Sequence, residues 1–152
     1  MEMEKGNTRS YSLIYLLERT LRQTRMSLQA AFNKADLKIS VDQWIVLTQV
    51  AKTLDQNQNV ISKCVAKDPA SITRIVLLLE NRKLIKRTVD KKDKRNVLVN
   101  VSTIGEKLLN SCATEVDLFK KNAVKSLAQD DLNNLKTMLD NLFENCGGGE
   151  KD

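Results

Sequence analysis

One stretch constrains this chain more than any other: Asp68 to Arg95, DPASITRIVLLLENRKLIKRTVDKKDKR. Asp68 is suited to cap a helix, because its carboxylate can accept from the free backbone N–H groups of a first turn. Pro69 at the first helical position has the φ a helix needs and no N–H to leave unbonded. Ile72, Ile75, Val76 and Leu79 then recur at i, i+3, i+4 and i+7, which makes one apolar stripe facing a core. Ser71 and Arg74 fall away from that stripe near the N-terminal end, and Thr73 lies nearer its edge. Further on, Val97, Val99 and Val101 alternate with Asn96, Leu98 and Asn100, a period of two that predicts a strand. Leu84 to Val89 is its expected partner, with residues 90–95 as the turn.

The charge of this stretch is as informative as its periodicity. Residues 82–95 carry eight basic side chains (Arg82, Lys83, Lys86, Arg87, Lys91, Lys92, Lys94, Arg95) against Asp90 and Asp93, a local charge of +6. The whole chain, with 25 basic and 19 acidic residues, is also +6. An ordinary solvated hairpin does not need such clustering; a segment that displaces counterions from phosphates does. The helix alone reads as an amphipathic helix with a solvated arginine. With the basic hairpin behind it, it reads as a recognition helix, which presents its base-reading side chains near its N-terminus. There Arg74 can donate two hydrogen bonds to guanine, while Ser71 and Thr73 reach phosphate or a base edge.

Upstream, a long helix is expected from about Ser10 to Asn33. Ile14, Leu17, Leu21, Leu28 and Phe32 form its stripe, and Arg19, Arg22 and Arg25 lie largely off it. Ser40-x-x-Gln43 is a capping box that starts a second helix, with Trp44, Leu47, Ala51 and Leu54 on one face. Asn57 caps a short helix, Val60 to Ala66, and Lys67-Asp68-Pro69 turns into the recognition helix. Short helix, tight turn and second helix make a helix-turn-helix. Downstream, Ser102 opens a helix through Leu108, Leu109, Val116, Phe119 and Ala123. SLAQDD (126–131) interrupts it, and Leu132, Leu135, Leu139 and Leu142 mark a last helix. Residues 1–9 are expected to fray, and GGGEKD (147–152) reads as a flexible tail.

Helix, strand, an Asp-x-basic-Asp-x-Arg loop, strand and Ser-x-x-Gly together resemble the MarR family of winged-helix transcription regulators, without a gap from Asn57 to about Leu109. The resemblance implies that Arg95 reaches into a minor groove, that Asp90 and Asp93 fold the wing, and that Lys92 and Lys94 contact DNA beside it. Arg74 falls on the family's frequent recognition-helix arginine, and Ser102 and Gly105 match the start of the next helix. Three departures stand out. Lys92 replaces the usual first wing arginine, Lys83 replaces a usual turn glycine, and Leu77 and Leu78 replace usually polar positions. Ala128 stands where the family commonly has Ser or Thr, so the last helix should be less sharply capped. The resemblance also implies a homodimer on a pseudo-palindromic double-stranded operator, the leucine-rich end helices packing against a twofold mate. A small aromatic or phenolic effector, with Tyr15 and Trp44 lining its cleft, is implied as well; the plain alternative is that Trp44 is core and that Tyr11 and Tyr15 pack in a dimer.

The expected fold is therefore mainly α with a small β-wing. Residues 1–35 and 106–152 form an α-helical dimerisation region and 36–105 the winged helix-turn-helix. The absence of histidine removes Ser-His and Cys-His catalysis and nearly all zinc chemistry. No enzyme, cofactor or metal is expected. No apolar run approaches the roughly 20 residues of a membrane span, and MEMEKGNTRS has no signal-peptide layout, which points to the cytoplasm. Cys64, Cys112 and Cys146 are an odd count without a CxxC, so no disulfide framework is expected. Cys64, beside Ile61 and Val65, reads as a buried structural thiol. Two other functions remain open on the residues: a winged-helix module that binds an acidic protein surface, and a regulator switched by oxidation of its thiols.

Overall fold

The computed structural model describes residues 12–148; the expectations for Tyr11, for the frayed N-terminus and for residues 149–152 lie outside them. Helix α1 (Leu13–Lys34) starts at Ser12, whose Oγ accepts from Tyr15 N. Helix α2 (Val41–Lys52) starts at a complete capping box: Ser40 Oγ accepts from Gln43 N at 3.1 Å, and Ser40 N donates back to Gln43 Oε1 at 3.3 Å. Asn57 Oδ1 accepts from Val60 N at 2.9 Å and opens α3 (Gln58–Cys64). Asp68 and Pro69 open α4 (Pro69–Asn81), and Ser102 Oγ, accepting from Gly105 N at 3.0 Å, opens α5 (Thr103–Ala123). These local bonds satisfy donors that a helix end leaves unpaired. Helix α6 (Gln129–Phe143) starts at Ala128 with no capping side chain, and a turn, Glu144–Gly148, with Gly147 at φ 85°, follows it.

Three helices end without the glycine that usually takes the left-handed position after a helix. Asp36, Ala66 and Lys83 stand there with φ of 56°, 50° and 58°. After α4, Lys83 N donates to Glu80 O and Leu84 N to Leu79 O, the paired bonds of a Schellman turn. This is how the chain turns from α4 into strand β2 (Ile85–Val89). Strand β3 (Val97–Val101) returns antiparallel in the register Ile85↔Val101, Arg87↔Val99 and Val89↔Val97. A two-residue strand β1 (Gln56–Asn57), too short to show in the sequence, pairs with the other side of β3, giving the order β1-β3-β2.

The chain divides into two compact units, residues 1–117 and 118–152. In the first, Phe32, Val46, Leu47, Val50, Ile61, Ile72, Val76, Leu79, Val99 and Cys112 are fully buried. Two sequence expectations are corrected here. The inward face of α2 carries Val41, Val46, Leu47 and Val50; of the expected Trp44, Leu47, Ala51 and Leu54, Leu47 is buried and Trp44 half-buried, but Ala51 is exposed and Leu54, beyond the helix end, is 77% exposed. Cys64 is exposed rather than buried, because α3 turns Ile61 and Ser62 inward and the Ser62 hydroxyl bonds the Lys67 carbonyl. Of the α1 stripe, Leu28 and Phe32 are buried while Ile14, Leu17 and Leu21 stand open to solvent. In the second unit no residue of α6 is buried, and Leu135, Met138, Leu139 and Phe143 are exposed.

Gly105 is where strand and helix close against each other. A Cβ there would lie 2.1 Å from Leu84 O and 2.9 Å from Val101 Cγ2. The same turn is fastened by Ser102, whose N–H donates to Leu84 O and whose hydroxyl donates to Lys83 O at 2.6 Å. This knot fixes the base of the hairpin relative to α4 and α5.

Candidate nucleic-acid interface

The exposed end of α4 and the hairpin loop belong to the same unit and carry the residues singled out in the sequence. At the start of α4, Asp68 Oδ1 accepts from Ser71 N at 2.9 Å and Oδ2 accepts the Ser71 hydroxyl at 2.6 Å. Those bonds from Ser71 hold the Asp68 carboxyl below its ordinary range. They also commit the Ser71 hydroxyl hydrogen, so Ser71 meets an incoming molecule as an acceptor. Thr73 is exposed, and its hydroxyl lies 2.9 Å from Pro69 O and 3.1 Å from Gln58 Oε1. Arg74 is exposed on the same turn, while Ile72 and Val76 anchor the opposite side in the core. Leu77 and Leu78 are exposed further along, and nothing in the structure explains them.

The loop between β2 and β3 is held by its two acidic residues. Asp90 Oδ1 accepts from Lys92 N at 2.8 Å, and Asp90 N donates to Asn96 O at 2.9 Å. Asp93 Oδ1 accepts from Arg95 N at 3.0 Å, and Asn96 N donates to Asp93 O. Each carboxylate thus engages the loop's own backbone, an arrangement Asp and Asn favour in turns. Lys91, Lys92, Lys94 and Arg95 are all exposed. A loop held by its own bonds that offers solvent four cations loses less chain entropy on binding a polyanion than a solvated tail does.

Not every basic residue of the segment belongs to this surface. Arg87 pairs with Glu80 at 2.7 Å, tying β2 to α4, and Arg82 donates to Gln43 Oε1, tying the end of α4 to α2. A further ion cluster had no local signal in the sequence. Asp42 at the start of α2 bonds Arg25 of α1 and, at 2.8 Å, Lys67 of the turn between α3 and α4. Partial burial pushes the Asp42 carboxyl up, but the bonds and charges of Lys67 and Arg25 outweigh it and hold it below its ordinary range. These partners lie 17 and 25 residues from Asp42, so only the fold brings them together.

Tyr15 and Trp44 are not brought together within one copy. Trp44 packs edge-on against Phe32 with ring centroids 5.9 Å apart. Tyr15 stands seventeen residues before Phe32 on α1, about 25 Å along the axis at 1.5 Å per residue. The open depression beside Tyr15 is walled by α1 alone, including Glu18, Arg22, Arg25 and Met26, without Trp44. Among the thiols, Cys112 is fully buried and burial pushes its pKa up, the opposite of what a reactive thiol needs. Cys64 and Cys146 are exposed. Among the described residues no three His, Cys, Asp or Glu side chains gather as a metal site would require, and no helix is long and apolar enough to cross a membrane.

Residues 30–112 match the family model described as transcriptional regulator SarA/Rot. Comparison with curated protein sequences gives no match. Among solved structures, the S. aureus MepR–DNA complex is 21% identical and superposes with a TM-score of 0.80 over 90% of this chain and 99% of that one. Apo wild-type MarR from E. coli is 21% identical, with a TM-score of 0.73 over 88% and 98%. CouR from Rhodococcus jostii RHA1, bound to p-coumaroyl-CoA, is 23% identical, with a TM-score of 0.76 over 86% and 91%. At these identities the likeness establishes a shared fold.

Proposed function

This chain belongs to the SarA/Rot family of DNA-binding transcriptional regulators, built on the winged-helix fold of the MarR family, and we propose that it represses transcription as a homodimer on a pseudo-palindromic operator. In this reading α4 enters the major groove, with Arg74 reading a base edge and Ser71 and Thr73 lining the interface. Arg95 enters the adjacent minor groove, flanked by Lys92 and Lys94. The observation that carries it is the loop of residues 90–95, stapled through Asp90 and Asp93 so that its side-chain charge toward solvent is cationic. The DNA seen with MepR, a protein of the same fold, supports the same use of the scaffold.

Dimerisation rests on surface that one copy leaves uncovered. Leu13, Ile14 and Leu21 are 56%, 73% and 59% exposed on α1, and Leu135, Met138, Leu139 and Phe143 are exposed on α6. Apolar area on this scale favours burial against a mate. We place residues 1–35 and 106–152 in that dimerisation region and 36–105 in the DNA-binding lobe. Two lobes related by a twofold axis place two recognition helices about one DNA turn apart. An effector that altered their spacing would lower affinity, since both half-sites must be met together. The ligand seen in CouR, again a protein of the same fold, supports such a site. With Tyr15 and Trp44 far apart in one copy, a single cleft holding both needs two copies.

Footprinting on the DNA upstream of the gene tests this. The expected result is two protected half-sites, with centres about 10 base pairs or a multiple apart, bound by a species of twice 17.2 kDa. Arg74→Ala abolishes the preference for that stretch over scrambled DNA. A monomer in solution with no protected stretch, unchanged by Arg74→Ala, refutes the proposal and leaves a protein-binding role for the basic wing.

A further inference from the structure

Between the first turn of α3 and the wing strand β3 lies a cleft walled by Asn57, Gln58, Asn59, Arg95, Asn96 and Val97. No acidic residue lines it. The Asn57 side-chain oxygen is taken by Val60 N, and the Asn96 amide nitrogen faces Asp93 Oδ2 at 3.4 Å. The lining side chains that can donate to an incoming group are therefore Arg95 on one side and the amides of Asn57, Gln58 and Asn59 on the other. Gln58 is tied to α4 by a hydrogen bond. Its Oε1 lies 3.1 Å from Thr73 Oγ1 on α4, and the single Thr73 hydroxyl hydrogen is shared between that oxygen and Pro69 O at 2.9 Å. Holding Oε1 against α4 leaves the Nε2 group, with its two hydrogens, as the outward face of the side chain.

We infer that this cleft receives a backbone phosphate of the operator, with Gln58 donating from Nε2 beside the Arg95 guanidinium and Thr73 acting as the positioning residue for Gln58. The inference rests on the DNA-binding reading above and adds to it. The cleft lies between the wing loop, which enters the minor groove, and the start of α3, which the Thr73–Gln58 bond ties to the recognition helix α4; the strand between two adjacent grooves is the phosphate backbone. Its lining offers donors and a cation, as an anion requires. Thr73, whose hydroxyl hydrogen is already engaged, has none to donate to a base or phosphate. Its part in binding is exerted through Gln58.

Anisotropy of the operator duplex across a salt series, with thermal melts to confirm folding, separates the outcomes. Gln58→Ala is expected to weaken binding about 10-fold or more, the loss of a hydrogen bond to a charged acceptor. Because a neutral amide displaces no counterion, the salt slope stays at the wild-type value, whereas Arg95→Ala lowers its magnitude by about 0.9 for each phosphate no longer neutralised. Gln58→Glu keeps the oxygen that Thr73 holds but turns a carboxylate toward the phosphate, so it binds more weakly still than Gln58→Ala. Thr73→Val weakens wild type but adds nothing in the Gln58→Ala background, the signature of action through one residue. Additive losses would overturn the positioning role. Affinity of Gln58→Ala or Gln58→Glu within about twofold of wild type, far below the effect of losing such a bond, would overturn the phosphate site while Arg95→Ala still weakens binding. A Gln58→Ala loss confined to one operator base pair would also overturn it, in favour of base reading. If Arg95→Ala has no effect either, the DNA-binding reading itself falls.

Discussion

Replacing Gly105 by alanine should loosen the joint on which wing and helix both depend. The added Cβ would lie 2.1 Å from Leu84 O and 2.9 Å from Val101 Cγ2, far inside the roughly 3.5–4.0 Å at which carbon atoms attract. Leu84 O cannot retreat freely, because it accepts from Ser102 N at 3.0 Å and follows directly on the turn that ends α4. Helix α5 must therefore back away from β2. Overpacking of this kind costs about 1–3 kcal/mol, and stretching the Ser102 bond adds about 1 kcal/mol. The better helix propensity of alanine returns about 1 kcal/mol. The net expectation is a loss of about 1–3 kcal/mol, which in urea at about 2 kcal/mol per molar is a midpoint roughly 0.5–1.5 M lower. Ile104→Ala, at an exposed position of the same turn, is the control and should stay within about 0.5 kcal/mol. Protein concentration is held fixed, since a dimer's midpoint depends on it. A Gly105→Ala midpoint equal to or above wild type would refute the reasoning.

Other perturbations probe the same frame. Lys83 stands at φ 58°, so Lys83→Gly should raise stability by about 0.5–1 kcal/mol in the same denaturation assay. Asp68→Ala removes the α4 cap and should lower stability at neutral pH. The native Asp68 carboxyl sits below its ordinary value of 3.8 because of its bonds from Ser71, so that contribution is present above pH 3.8 and fades as pH falls through the lower native value. Wild type and Asp68→Ala should therefore converge in stability toward strong acid. A thiol reagent added to folded protein should modify Cys64 quickly and Cys112 only on unfolding, because Cys112 is fully buried with a raised pKa.

What the sequence made legible was chemistry acting over three or four residues. The Ser40–Gln43 box, the Asn57 cap, the Asp68-Pro69 start and the Ser102 start each work through a bond to a neighbour three positions on, so residue type and spacing suffice. The wing was legible because the basic run of residues 82–95 leads straight into the alternation of residues 96–101. Burial was harder to read. In α2, Trp44, Val46, Leu47, Val50 and Ala51 are apolar on more than one side, and the choice of face is made by packing against the rest of the fold. The outer half of α1 shows an apolar stripe that a single copy leaves in water. Cys64 has apolar neighbours, yet Ser62 takes the inward position in α3. Long-range bonds were invisible: Asp42 with Arg25 and Lys67, Glu80 with Arg87, and Gln58 with Thr73. So were the left-handed turns at Asp36 and Ala66, which carry no glycine to mark them.

The most direct test of the account is the salt dependence of operator binding by wild type and Arg95→Ala. Roughly six to ten phosphates neutralised per dimer give a log–log slope of about −5 to −9 for wild type. Removing one groove-directed cation from each wing should reduce its magnitude by about 2, with weaker binding at every salt concentration. Equal affinity and equal slope for the two proteins would contradict the assignment of the wing as a DNA-gripping surface.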